Sequence, residues 1–181
     1  MNKKFIAMMV AAVSFTGISA ANAGSSTSVS GGTVNFVGEV VDAACAVSAG
    51  SINQTVTLAQ VRTARLATPG QAAGQKQPFN IVLEDCDTSV SQNAGVTFNG
   101  QSDATATSAL ANTAGAGAAS HVALQLYGPD GKELALGTDS STITLIDGTN
   151  TIPLSVDYVS TDAATTPGNV AATATFNVNY N

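Results

Sequence analysis

The chain has 181 residues, with twelve acidic and six basic side chains and a formal net charge of −6 at pH 7. This acidic balance argues against nucleic-acid binding, which needs a basic face. Only 10 % of the residues are charged and tryptophan is absent from the sequence. Such a composition fits a polymer or coat component better than an enzyme.

The first predicted element is a secretory signal peptide over residues 1–23. A basic pair, Lys3 and Lys4, precedes the largely apolar stretch Phe5–Phe15, and Ala21–Ala23 is an A-x-A cleavage site. The apolar stretch is shorter than the roughly 20 residues that a membrane-spanning helix needs. We therefore expect removal of this segment and export of the rest, whose length suits one domain.

An alternating, strand-like segment, Ser28–Gly38, follows the cleavage site. One face carries Gly32, Val34, Phe36 and Gly38. The other face carries Val29, Thr33 and Val37. The first face carries the larger side chains, and a shift of the pairing register by one residue would exchange the two faces.

Two cysteines, Cys45 and Cys86, lie in a chain that we expect to be exported. An even count in an oxidising compartment favours one disulfide. A closed loop of this length would stabilise the fold by roughly 4 kcal/mol on the chain-entropy model. The alternative is a metal site, for which two cysteines and the distant His121 are a poor ligand set, since structural zinc usually needs four close ligands.

Short runs with strand-like patterning recur between turn residues along the chain. They are Glu39–Val47, Thr55–Leu58, Phe79–Leu83, Val96–Phe98, His121–Tyr127, Ser141–Ile146 and Thr151–Val159. Period-2 patterning at this spacing predicts a single antiparallel β-sandwich. Two stretches rich in small residues, Ala64–Pro78 and Ser102–Ser120, are expected to be surface loops, and the second could hold a short helix over Ala104–Ala111.

The chain closes on a second alternating segment, Ala172–Asn181. Its apolar face carries Ala172, Ala174, Phe176, Val178 and Tyr180, with no charged residue between them. Natural proteins normally blunt an exposed sheet edge with charge or proline. The two terminal segments therefore predict either strand addition between subunits or ordinary first and last strands of a closed sandwich, and alternation alone leaves both open.

A catalytic constellation is not evident in the sequence. His121 is the only histidine, and the neighbouring Ser120 lacks a G-x-S-x-G setting. The acidic cluster Glu84–Asp87 lacks the ligand spacing of a calcium loop. We therefore expect no enzyme activity, no cofactor and no metal.

Several segments resemble the major pilins of chaperone–usher fimbriae, type 1 in particular. The segments are Gly31–Val47, Gln54–Ala64, Phe79–Asp87, Gly148–Pro153 and Ala174–Asn181. The pilin C-terminal pattern, a glycine fourteenth from the end and a penultimate tyrosine, is matched by Gly168 and Tyr180. The similarity covers essentially the whole chain after the signal peptide.

The resemblance implies an immunoglobulin-like antiparallel sandwich that lacks its final strand and is completed by donor-strand exchange. It divides the chain into a signal peptide (1–23), an N-terminal donor-strand extension (24–38) and an incomplete pilin domain (39–181). Val34 and Phe36 would enter a neighbour's pockets. Gly32 would occupy a tight position where a Cβ would clash with the groove floor, and Gly38 would share that face.

The resemblance also implies the partners. Gly168, Phe176, Val178 and Tyr180 would belong to the acceptor groove and its chaperone-binding edge. The partners would be other copies of this chain, a periplasmic chaperone, an outer-membrane usher and minor tip pilins, and the product an extracellular adhesive fimbria. The alternatives are a minor adaptor pilin at the tip and a secreted monomer whose N-terminal strand fills its own groove.

Overall fold

The computed structural model describes residues 29–181, so the predicted signal peptide lies outside the described range. The chain divides into two units, of which the first ends at Glu39 and the second is Val40–Asn181. In the first unit, residues 29–39 are exposed and form no strand. Among residues 29–181, no helix is long and apolar enough to cross a membrane.

The second unit is built from antiparallel strands. Its strands in chain order are β1 (Ala46–Val47), β2 (Gln77–Cys86), β3 (Asn93–Gly100), β4 (Leu110–Ala111), β5 (Val122–Tyr127), β6 (Glu133–Leu134), β7 (Ile143–Thr144), β8 (Gly148–Ser160) and β9 (Ala174–Tyr180). A single helical turn, α1 (Ala49–Ile52), and a 3-10 helix, Thr63–Leu66, complete the elements.

The strands form two sheets that face each other. The larger has the order β1-β2-β8-β5-β4, with β6 paired to β5, and the smaller has the order β7-β3-β9. Ile81, Leu83 and Ile152 of the larger sheet share one buried cluster with Val96 and Phe98 of the smaller sheet. Alternate apolar residues of both sheets thus form the core, which confirms the predicted antiparallel sandwich.

A buried carboxylate fixes the loop that covers the outer face of the larger sheet. Asp157 of β8 is 0 % exposed. Its Oδ2 atom accepts hydrogen bonds from the backbone N–H groups of Gly74 (2.8 Å) and Gln75 (3.0 Å). Burial of a charged group is tolerated when it is hydrogen-bonded in this way, so Asp157 holds the segment before β2 against the sheet.

The loop Ser102–Ser120 contains no helix over Ala104–Ala111, so that expectation is wrong. The Asp103 carboxylate accepts hydrogen bonds from the backbone N–H groups of Thr105 and Ala106, both at 2.9 Å, which closes a turn. The last two residues of Ala104–Ala111 form β4, which pairs with β5. Side-chain bonding of Asp103 to the backbone competes with helix formation here.

Candidate strand-acceptor groove

The C-terminal strand exposes an apolar face that the core covers only in part. From Val170 to Tyr180, half-buried residues alternate strictly with exposed ones. The half-buried side chains that pack against the main core are Val170, Ala172, Ala174, Phe176, Val178 and Tyr180. The Phe176 ring lies 6.0 Å from that of Phe98. Solvent therefore reaches part of this apolar face.

Within residues 29–181, the outer edge of β9 also has no backbone partner. Because the order of the smaller sheet is β7-β3-β9, β9 lies at its edge. Asn93 and Asn181 exchange two backbone hydrogen bonds, of 3.0 and 3.1 Å. Hydrogen-bonded pairs alternate along an antiparallel ladder, so residues 174, 176, 178 and 180 direct their N–H and C=O groups away from β3.

A second apolar edge faces the same core. Residues 54–61 form no strand, and within the described chain their N–H groups donate no hydrogen bond to another residue. Val56 and Leu58 are half-buried against the main core. The predicted strand Thr55–Leu58 is therefore apolar on one side but unpaired, which corrects that expectation.

Both ends of the segment 170–180 contact other parts of the second unit. At one end, the Tyr180 hydroxyl donates a hydrogen bond of 3.2 Å to the carbonyl oxygen of Cys45, in the segment before β1. At the other end, Val170 packs with Val61 of the second edge against a smaller buried cluster around Leu66. We call the space between residues 54–61 and 170–180 the acceptor groove.

Gly168 lies at the start of this edge and is packed tightly against backbone. A Cβ built on Gly168 would lie 2.3 Å from the backbone nitrogen of Ala119 and 2.7 Å from the carbonyl oxygen of Gly117. Such distances are far below van der Waals contact, so only glycine fits. The structure thus gives Gly168 a steric role within its own chain, which is independent of any partner.

The predicted disulfide is confirmed. Cys45 and Cys86 are bonded, and both side chains are buried in the main core. The bond joins the segment just before β1 to the end of β2. The Cys45 carbonyl oxygen also accepts the hydrogen bond of the Tyr180 hydroxyl. The disulfide therefore lies at one end of the acceptor groove.

The predicted donor face lies in the first unit and is open to solvent. Val34 is 73 % and Phe36 is 91 % exposed, and Val37 on the other face is 97 % exposed. Gly32 has a backbone φ of +107°, a value that favours glycine. A Cβ added at Gly38 would meet no atom within 4 Å. These side chains are therefore accessible to another molecule.

The candidate catalytic and metal-binding side chains are far apart or exposed. The His121 Nδ1 atom lies 3.8 Å from the Asp162 carboxylate, and both side chains are exposed. The Ser120 hydroxyl is 2.6 Å from that of Thr166 rather than next to a base. The described residues bring no three potential His, Cys, Asp or Glu ligands together for a metal ion.

Comparison with known proteins identifies the family. The sequence model of the family described as "Fimbrial protein" matches residues 34–181. The chain is 52 % identical over 158 residues to the type-1 fimbrial protein A chain of Escherichia coli K12, which covers 85 % of this chain and 86 % of that protein. It is 51 % identical over 166 residues to the fimbrial subunit type 1 of Klebsiella pneumoniae, covering 90 % of each. The chain therefore belongs to the fimbrial protein family, and the predicted resemblance is confirmed.

Solved structures agree with this assignment. A structure of a chaperone–usher pilus superposes with a TM-score of 0.69 at 26 % identity, covering 86 % of this chain and 99 % of that one. The P pilus rod subunit PapA superposes with a TM-score of 0.64 at 23 % identity, over 77 % of this chain and 100 % of that one, and this likeness shows the fold. The immunoglobulin-like pilin sandwich predicted from the sequence is thus confirmed.

Sequence reasoning found one edge of the groove and missed part of the other. The face ending in Phe176, Val178 and Tyr180 was visible because no charge interrupts its alternation. The sequence pattern predicts only a strand for Val56 and Leu58, although their alternation without charge is also typical of groove residues. Val170 lies outside the predicted strand, which begins at Ala172.

Proposed function

We propose that this chain is the structural subunit of an extracellular type 1-like fimbrial rod. Copies polymerise when the N-terminal extension, residues 24–38, of one copy adds as a strand to the acceptor groove of another. The observation that carries the proposal is the half-buried apolar face of β9 beside an edge with unpaired backbone groups. An extended segment satisfies both at once, by backbone hydrogen bonds and by alternate side chains.

The energetics favour a stable joint. Val34 and Phe36 are exposed in the free extension, and burying each of them contributes roughly 1.5–3 kcal/mol. Ligand binding to the native state alone stabilises that state. Completing the core of the acceptor therefore also raises its resistance to unfolding, so association and folding stability are coupled.

The proposal includes the partners of the acceptor groove. A periplasmic chaperone would cover Phe176, Val178 and Tyr180 before assembly, the outer-membrane usher would be the place of exchange, and minor tip pilins would start the fibre. In the donor, Gly32, Val34, Phe36 and Gly38 would face the groove. The role is structural rather than enzymatic and needs no cofactor or metal.

The test uses an acceptor that cannot donate. The chain carrying Val34→Asp and Phe36→Asp is purified, and its thermal unfolding midpoint is measured with and without a synthetic peptide of residues 24–41. We expect a rise of many degrees with the peptide and none with a peptide carrying the same two aspartates. An acceptor that is indifferent to the wild-type peptide would overturn strand addition.

Size-exclusion chromatography of the unsubstituted chain separates the alternatives. Polymers support a rod subunit, whereas a persistent monomer as stable as the peptide-bound acceptor supports a self-complemented secreted sandwich. A minor adaptor at the tip would form single heterologous joints and no homopolymer.

A further inference from the structure

The side chain of Asn112 binds two separate segments of the second unit. Its Nδ2 atom donates hydrogen bonds to the carbonyl oxygens of Ala119 (2.9 Å) and Asn169 (3.0 Å). Its Oδ1 atom accepts from the backbone N–H groups of Ala171 (3.0 Å) and Ala114 (3.2 Å). A carboxamide has two donor hydrogens and an acceptor oxygen with two lone pairs, so the capacity of Asn112 is fully used.

These bonds hold the chain just before β9 in extended form. Backbone bonds join the same two segments, from Asn169 N–H to Gly117 (2.8 Å) and from Thr113 N–H to Ala171 (2.8 Å). Strand β3 ends at Gly100, and its pairing with β9 ends there. The loop 112–119 instead supplies the hydrogen-bonding partner for residues 169–171.

The consequence for the acceptor groove follows from strand geometry. Backbone groups point alternately to the two sides of a strand. Since Asn169 and Ala171 bind the loop, Val170 and Ala172 direct their N–H and C=O groups to the opposite side, in line with those of β9. The edge available to an added strand then begins at Val170 rather than at Ala174.

Val170 also gives this extension an apolar side chain. It is half-buried and packs against both the main core and the smaller cluster around Leu66. The close approach of Gly168 to the Ala119 backbone keeps the chain against the loop on the other side. Val170 therefore contributes to the acceptor groove only while residues 169–171 stay extended.

We infer that Asn112 is a positioning residue for strand addition: it lengthens the acceptor edge from residues 174–180 to residues 170–180. The inference rests on the function proposed above. Asn112 does not touch the added strand and acts through the backbone of residues 169–171. Its loss leaves the β3–β9 ladder intact and loosens only residues 169–171, which keep their backbone hydrogen bonds to Thr113, Gly117 and Ala119.

The experiment compares labelled peptides of different reach. The full-length chain with Val34→Asp and Phe36→Asp serves as acceptor, alone and with Asn112→Ala. Peptides of residues 29–41, 29–37 and 33–41 carry a fluorophore, and their release is followed by anisotropy after adding excess unlabelled peptide. Asn177→Ala is the matched control, because Asn177 lies on the exposed face of β9.

We expect Asn112→Ala to speed release of the 29–41 peptide about tenfold, since each hydrogen bond to the peptide contributes modestly and several are lost together. Of the two shorter peptides, only the one that reaches residues 170–172 should also be released faster. The other should be released at an unchanged rate. Asn177→Ala should change none of the three rates.

Equal acceleration of all three peptides would mean a general loss of structure and would overturn the inference, as would no change in any of them. If the alanine variant does not fold, Asn112→Asp replaces it, because it keeps acceptor oxygens for Ala114 and Ala171 and loses the two donors. If the acceptor that retains Asn112 does not bind the 29–41 peptide, the proposed function itself is rejected.

Discussion

The Tyr180 hydroxyl donates a hydrogen bond of 3.2 Å to the carbonyl oxygen of Cys45. This bond joins the penultimate residue of the chain to the disulfide-bonded segment that precedes β1. Burial raises the pKa of Tyr180 above its usual value, because the charged phenolate would lose solvation. The C-terminal strand thus contains a titratable group whose neutral form is favoured by folding.

We expect Tyr180→Phe to lower the free energy of unfolding at pH 7 by about 1 kcal/mol, the net contribution of one hydrogen bond. The raised pKa has a second effect. Its stabilisation is complete below the unfolded pKa of about 10 and is lost as pH rises through the folded-state pKa. Urea titrations between pH 7 and pH 11 should therefore show a shallower alkaline loss for the variant.

Burial also raises the pKa values of Tyr127 and Tyr158, so the variant should retain part of the alkaline loss. Parallel curves for Tyr180→Phe and the unsubstituted chain would show that Tyr180 titrates alike in both states.

Gly168→Ala should destabilise the second unit strongly. The added Cβ would lie 2.3 Å from the nitrogen of Ala119, and overpacking of this kind typically costs about 1–3 kcal/mol. Chemical unfolding of the two chains measures the difference. Gly50→Ala is the control, because a Cβ there meets no atom within 4 Å, and it should change stability by less than about 1 kcal/mol. Equal stability of both variants would contradict the steric role of Gly168.

Phe36→Ala should weaken polymerisation without lowering the folding stability of the isolated subunit. The side chain is 91 % exposed in the free chain, and burial of a phenylalanine in a groove contributes roughly 1.5–3 kcal/mol. Release of a labelled 29–41 peptide from the acceptor should accelerate about tenfold or more when it carries this change.

The matched control for the donor face is Val37→Ala, since Val37 is equally exposed and lies on the opposite face. It should leave the release rate nearly unchanged. A stronger effect of Val37→Ala than of Phe36→Ala would shift the register of the added strand by one residue.

Asp157→Ala should cost about 1–3 kcal/mol, because the backbone N–H groups of Gly74 and Gln75 lose their buried acceptor. Thermal or urea unfolding checks this value. Asp162→Ala removes an exposed carboxylate near His121 and should have little effect. If the two variants were equally stable, Asp157 would have no part in holding the covering loop.

The outcome for the terminal strands shows what alternation can and cannot predict. Ala174–Tyr180 forms β9 because β3 supplies a partner along its whole length. Ser28–Gly38 alternates as clearly, yet its described residues form no strand. Alternation indicates which side chains can share a face, whereas a strand also needs a hydrogen-bonding partner, and the sequence of one copy does not supply it.

The supports of the acceptor groove were harder to predict. Asn112 and Asn169 are separated by 57 positions, and neither belongs to a periodic pattern. Their contact depends on how two loops meet after the sheets have formed. The helix expected over Ala104–Ala111 failed for a related reason, because alanine content favours helix but the Asp103 turn and the pairing of β4 with β5 prevail.

The position of the disulfide has a mechanical consequence. In a fibre joined by N-terminal extensions, tension enters the second unit at Val40 and soon reaches Cys45. The covalent bond to Cys86 carries that tension to the end of β2, which pairs with the long strand β8 in the interior of the larger sheet. Stretching therefore pulls on a broad hydrogen-bonded sheet, and the two-residue strand β1 is protected from being peeled from its edge.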